Sequence, residues 1–493
     1  MKKIRLLSLL LSLCLAFCIL PLSCVSGSGS AGAGFDAETL TLTPGRNTSE
    51  INITWYGNTA DGNLGKVRFA PRSAVRGNNF PADAQIVNAA GVNASEGKVS
   101  HKATLAGLTP NTVYAYSVSS DGINFSKVYT YRTPAAGRFT FVAVGDPQLT
   151  QPGVSPTSEG VPGGYMEKNN SKTTRAAWAD TINLIMRRVP NVRFIAGVGD
   201  AIDRNLVSEL GRPENALEPH EIKYVNFFAP PALRNIPFSP VVGNHESRSH
   251  FGFVHHYNIP NEQQFTSIPT GQSGSRHEME SRGNYFYLYN NALFVVLNTA
   301  AYPRNRDEAA RIINEHFDIT LRAATEQHNG QYRWLFVQTH KSIASLADHA
   351  ADRDIQYYIE AGFQQLMDRY NVNFVLAGHD HIYARSHPML DGRRVNSGGT
   401  IYFTLNSSSG QKFYAEFVPD IKDNTEYPYF EDGTSGSAVL MAGNVPYPVN
   451  FYHQNYKPMF LEIDVTDNTV TFRAYEVQDN LSARIVDNFT VSR

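Results

Sequence analysis

Phe139-Thr140-Phe141-Val142-Ala143-Val144-Gly145-Asp146-Pro147-Gln148 is an apolar run that stops on a glycine and then delivers a carboxylate. Sheets of the α/β type present ligand-binding groups just beyond the carboxyl ends of their strands, and this stretch has that form. Working outward, four more apolar runs end the same way. They lead into Gly199-Asp200-Ala201-Ile202-Asp203, Gly243-Asn244-His245-Glu246, Thr339-His340 and Gly378-His379-Asp380-His381. Each motif alone has an ordinary explanation: a Gly-Asp pair is commonly a turn or a helix cap, and a lone Thr-His a hydrogen-bonded core histidine. Together they bring oxygen and nitrogen donors to strand ends. That mixed set is what two neighbouring divalent metals use to drive attack on a phosphate ester.

The surrounding pattern is α/β with a substantial antiparallel part. Apolar strands are expected at 139–144, 194–198, 238–242, 334–337 and 374–377, and hairpins at 285–297 and 460–475. Helical spacing covers 173–189, with Trp178, Ile182, Ile185 and Met186 on one face, and also 306–327 and 352–370. Residues 35–134 differ. Period-two runs such as Ile51-Asn52-Ile53-Thr54-Trp55 alternate with turn signals such as Asp121-Gly122, and no helix is indicated. That argues for an all-β sandwich ahead of the α/β domain of 138–493.

At 493 residues the chain is too long for one ordinary core. With 43 basic against 45 acidic residues, it offers no basic nucleic-acid-binding tract. Met1-Lys2-Lys3-Ile4-Arg5 followed by the apolar run to Leu22 has the layout of a signal peptide, assigned to residues 1–24. All three cysteines, Cys14, Cys18 and Cys24, fall there, so no disulfide framework is expected. Cys24 at the cleavage point resembles the acylated cysteine of a bacterial lipoprotein, although Pro21 stands where leucine is usual. The expectation is an exported chain held at the cell envelope by a lipid on Cys24. Plain secretion and an uncleaved anchor are the alternatives. Residues 25–34 are a Gly/Ser tether.

The order GD…GDxxD…GNHE…TH…GHxH resembles the calcineurin-like metallophosphoesterases. Arg385, after Gly-His-Asp-His-Ile-Tyr-Ala, points to the purple acid phosphatase branch. So does the stretch Leu105–Tyr116, which resembles the tyrosine-corner strand of fibronectin type III domains. The resemblance implies a four-layer β-sandwich flanked by helices, preceded by the fibronectin III-like sandwich of 35–134. It implies two divalent or mixed-valence metal ions (Fe, Mn or Zn), with Asp200 bridging, Asp146 and His381 on the first, and Asn244, His340 and His379 on the second. It also implies hydrolysis of a phosphate ester, most directly a monoester, by a metal-bound hydroxide, with His245 as general acid. A phosphodiesterase or nucleotidase on the same fold, and a surface-anchored binding protein without catalysis, are the rival readings.

Two positions depart from the family pattern. Asp203 stands where purple acid phosphatases carry a tyrosinate ligand, which puts the purple colour and a firm Fe(III) assignment in doubt. Asp203 instead matches the GDxxD aspartate that, in the serine/threonine phosphatase branch, orients the histidine of GNHE. The resemblance thus implies a carboxylate holding His245, setting its tautomer and raising its basicity, with a cap on the following turn as the alternative. Gln148 replaces a common histidine. Its amide oxygen is able to bind a metal or a bound water, and its amide is equally able to hydrogen-bond nearby backbone. A first site this rich in oxygen leans toward Mn or Fe over Zn. Arg204 is a candidate phosphate contact because its planar fork matches phosphate oxygens. Arg248, His250, His255 and His256, and the tyrosines 414, 427, 429 and 447, are candidates to line the substrate site or to pack as ordinary loop residues.

Overall fold

In a computed structural model the described residues are 39–94, 97–150, 173–203, 217–248, 250–265, 281–344, 347–410, 412–414, 429–431, 438–442 and 445–493. The leader with Cys24, the tether and Arg204 lie outside them, as does Tyr427, and for Arg248, His250, Tyr429 and Tyr447 the side chains do too.

Two sheets face each other across a core of aromatic and branched residues. The first has six strands in the order 238–239, 192–197, 139–144, 459–465, 469–477, 483–492. Phe139–Val144 lies parallel to Val192–Gly197 and antiparallel to Met459–Val465. The second has nine, in the order 285–289, 292–296, 334–338, 374–377, 401–404, 383–386, 445–453, 438–442, 429–431. Its four strands from 292–296 to 401–404 run parallel. Phe141, Phe194, Phe294, Phe336, Phe374 and Phe472 fill the space between the sheets. Trp178, Ile182 and Ile185 of the helix Thr174–Arg188 cover the outer face of the first sheet, joined by Tyr224 and Phe227 of the helix Leu217–Phe227. The helices of 306–327 and 353–369 cover the second. Helix, sheet, sheet and helix make the four expected layers. The parallel strands of both sheets point their carboxyl ends to one rim, so the five motifs meet there.

Three elements differ from their sequence spacing, each for a local reason. The strand expected over 238–242 pairs only at Phe238–Ser239, because Pro240 has no N–H to give a ladder. The helical stretch 306–327 widens into a π-turn at Ile313–Phe317. The helix expected over 352–370 breaks at Gly362, whose φ of 99° is open to glycine at little cost.

Residues 39–134 form two four-stranded sheets, 41–44, 51–58, 98–105, 90–93 and 85–88, 66–71, 113–119, 129–132. Trp55 is fully buried between them. The Tyr114 hydroxyl accepts the Thr109 N–H at 2.9 Å, as a tyrosine corner does. The sandwich is tied to the α/β layers by polar contacts. The Ser100 hydroxyl donates to the His255 carbonyl and the Tyr116 hydroxyl to that of Arg234, both at 2.6 Å. His256 pairs with Glu221 at 2.7 Å and stacks on Tyr56. His256 therefore serves this seam, and His255 contributes its backbone to it.

Candidate metal centre

Strand ends alone do not bring five loops into contact; their close approach does. A Cβ on Gly243 would lie 2.0 Å from Oδ1 of Asp200, and one on Gly378 would lie 2.2 Å from Oδ2 of Asp146. Any side chain at either position would displace a carboxylate. The loops also bend sharply. Asp146, Gln148, Asp200, His379 and His381 all have positive φ, between 25° and 72°. Non-glycine residues hold such conformations only where surrounding structure enforces them, and such strain concentrates at functional sites.

Two clusters result, with Asp200 in the one around His340. In one, Nε2 of His340 lies 2.7 Å from Oδ1 of Asn244, 3.1 Å from Nδ1 of His379 and 3.4 Å from Oδ2 of Asp200. The Nδ1–H of His340 donates to the Val198 carbonyl at 2.8 Å, so its Nε2 faces the cluster. In the other, Nε2 of His381 faces Oδ1 of Asp146 at 3.8 Å, and its Nδ1–H donates to the Lys412 carbonyl at 2.7 Å. Asp146 accepts the His379 N–H at 3.0 Å, and Asp200 accepts the His245 N–H at 2.9 Å. All six side chains are at least nine-tenths buried.

His245 sits at the edge of the Asp200 carboxylate. Its Nδ1 is 2.9 Å from Oδ1 of Asp203 and its Nε2 is 3.6 Å from Oδ2 of Asp200. The pairing expected from the sequence is thus present in the geometry. The amide nitrogen of Gln148 lies 3.1 Å from Oδ2 of Asp200 and 3.4 Å from Nε2 of His245. In this arrangement Gln148 braces Asp200 as a hydrogen-bond donor.

The electrostatics of the pocket ask for a cation. Burial and the neighbouring Asp200 push Asp146 well above the usual carboxylate range. Burial opposes ionisation of Asp200 too, yet His245 and His340 hold it below that range. Burial works against a charge on His340, but Asp200 overrides it and raises its pKa. The pocket therefore draws positive charge onto itself. Burial keeps His379 well below its ordinary value and brings His381 to about 3, so both remain neutral imidazoles able to act as ligands. Lone pairs of Asp200, His340 and His379 all lie within 4.8 Å of one another. The donors fit divalent metal ions.

Three groups gained a place in the site that the sequence did not disclose. Glu246, the last residue of Gly-Asn-His-Glu, is buried and accepts the backbone N–H groups of Asp200, Ile202 and Gly243 at 2.9, 3.2 and 2.8 Å. It laces the second loop to the third, and burial beside Asp200 raises its pKa to about 8. His349 stacks on His379 with ring centroids 4.2 Å apart and meets the Tyr414 hydroxyl at 2.9 Å. The serines 407–409 reach the first loop. Arg385 lies elsewhere: it pairs with Asp487 at 2.7 Å and caps Phe489, a structural tie between the sheets.

Residues 139–383 match the calcineurin-like phosphoesterase family, and residues 37–133 match the N-terminal domain of purple acid phosphatases. The chain carries a calcineurin-like metallophosphoesterase domain. Two curated relatives, uncharacterized proteins of two Mycobacterium tuberculosis strains, are each 25% identical over 354 residues. Those alignments cover 70% of this chain and 61% of each relative, so the chain spans about three fifths of their length. The structure of purple acid phosphatase PPD1 from yellow lupin (Lupinus luteus) seeds superposes with a TM-score of 0.60 at 15% identity, covering 92% of this chain and 74% of that one. A structure of PhoD superposes at 0.58 with 13% identity, covering 94% and 92%. At such identities the likeness is one of fold: the metallophosphoesterase domain sits behind an all-β domain, as in the lupin structure.

Proposed function

We propose that this chain is an exported hydrolase of phosphate monoesters working through two metal ions. The observation that carries the reading is the convergence of Asp146, Asp200, Asn244, His340, His379 and His381 with the Asp203–His245 pair on their rim. Asp200 would lie between the ions, Asp146 and His381 on one and Asn244, His340 and His379 on the other. When bound, the two ions supply an activated water at neutral pH and neutralise charge on the phosphoryl oxygens.

The chain's own residues do the rest. His245 presents Nε2 at the bridge and protonates the departing ester oxygen. Asp203 accepts from Nδ1, fixing the tautomer and orientation that this transfer needs. Gln148 donates to Asp200 and keeps the bridge aligned. With aspartate at position 203 there is no tyrosinate to produce a purple charge-transfer band, so the loaded protein should be colourless in the visible for want of that ligand. Export and a lipid on Cys24 rest on the first 24 residues.

Turnover of a phosphomonoester and a bis-ester of the same phenol, after loading with Mn, Fe or Zn, tests the reading. Preference for the monoester is expected. Preference for the bis-ester would move the assignment to a diesterase, and no turnover of either would return the binding-protein reading.

A further inference from the structure

Behind the first motif runs Asn406-Ser407-Ser408-Ser409-Gly410, which follows the strand Ile401–Thr404. Three consecutive hydroxyls meet three carbonyls of the first loop. Ser408 donates to Gly145 at 2.6 Å, Ser407 to Asp146 at 3.0 Å and Ser409 to Pro147 at 2.5 Å. All three serines are fully buried. Gly145 has a second donor in the Ser408 N–H at 2.8 Å. Among the described residues, no donor but its serine reaches the Asp146 carbonyl, and the same is true of Pro147. These are the carbonyls flanking the two left-handed residues, Asp146 and Gln148, whose φ values are 25° and 44°.

The same segment reaches the other ligand of that cluster. The Asn406 amide donates to Oε1 of Gln454 at 3.1 Å, and the Gln454 amide donates to the carbonyls of His381 and Tyr414 at 2.8 and 2.6 Å. The second cluster is held by other means: Val198 and Thr299 on His340, Glu246 on the Asn244 loop. We infer that Asn406–Ser409 with Gln454 is chiefly the positioning device of the first metal site. It holds the strained Asp146 loop and the His381 loop at a fixed separation, so that the first ion's affinity depends on it more than the second's, which it reaches only through His379. Buried carbonyls left without a donor would seek one, and the strained loop would relax to ordinary φ.

This rests on the two-metal reading, and the test separates them. Metal content per chain and stepwise metal affinity are measured for the full chain, for Ser407→Ala, for Ser409→Ala and for Gln454→Ala. Ser239→Ala, which removes a buried hydroxyl bonded to Tyr285 and Gln338 and to neither of these loops, serves as the control. The expected result is two ions on the parent and on the control. In the other variants one site should be weakened by about 10–100-fold and the other by clearly less, with kcat restored by excess metal. Unfolding of the metal-free proteins checks that each variant folds; where Ser407→Ala does not, Ser409→Ala and Gln454→Ala carry the test. Two ions at parental affinity in the variants would overturn the inference, and so would equal weakening of both sites. A parent that binds no metal would instead overturn the two-metal reading on which it stands.

Discussion

Two groups of buried carboxylates in this fold have opposite electrostatics. Around Glu476, in the strand Thr469–Val477, every need is met by the chain: His453 donates at 2.7 Å, Gln478 at 2.6 Å, and Asn455 and Arg484 at 3.1 Å. Burial opposes its charge, but these donors prevail and bring its pKa to about 2. In the pocket of Asp146, Asp200 and Glu246 the carboxylates face one another, and burial with mutual repulsion pushes Asp146 and Glu246 upward. The first group is complete as folded. The second lacks positive charge at its centre, and its neutral imidazoles offer lone pairs where the other group offers protons. A structural ion-pair cluster and a metal site differ in that respect even when both are rich in acids and histidines.

The largest effect should come from breaking the shared ligand. Asp200→Ala is expected to lose both ions by elemental analysis and to lower kcat by about four orders of magnitude, since each ion supplies several kcal/mol of transition-state stabilisation. Next, His245→Ala should cut kcat by about 10²–10⁴-fold while both ions stay bound. Metal loss in step with activity would give His245 a structural role instead.

The complete cluster is tested by acid. With its folded pKa near 2 against an ordinary 4.5, Glu476 adds stability that is present above pH 4.5 and lost as pH falls toward 2. Urea unfolding across that window should show the parent losing roughly 3 kcal/mol relative to Glu476→Gln. A parallel decline in both proteins would mean that Glu476 is no better satisfied than the pocket carboxylates. Asp203→Asn should cost about 10–100-fold in kcat with metal retained, the usual effect of losing an orienting carboxylate. The smallest change is expected for Gln148→Ala, less than about tenfold with both ions kept, because it removes one hydrogen bond. Loss of an ion there would show that Gln148 binds through its oxygen.

What the sequence disclosed follows from physical range. The strands before Asp146, Asp200 and His379 are continuous apolar runs, and a buried parallel strand leaves that trace locally. The Asp203–His245 pair was legible through the family resemblance, which matches Asp203 to the aspartate that orients the histidine of GNHE. Glu246 was in view, but its partners are backbone N–H groups of its own loop and of the loop before it, and backbone leaves no sequence signal. The serines at 407–409 carry no motif, since the carbonyls they serve lie about 260 residues earlier. His349 has no motif and meets His379 only once the strands Trp334–Gln338 and Phe374–Ala377 pair side by side. His255 and His256 were candidates for the site because they follow Gly-Asn-His-Glu closely. The helix His250–His256 turns them toward the sandwich instead.

The central claim is that the pocket is completed by metal and then hydrolyses phosphate monoesters. It is tested most directly by titrating metal into the chelated protein while following phosphomonoester turnover. Activity should be absent without metal and rise to saturation at two ions per chain. Full turnover in the metal-free protein, or none at any loading, would contradict it.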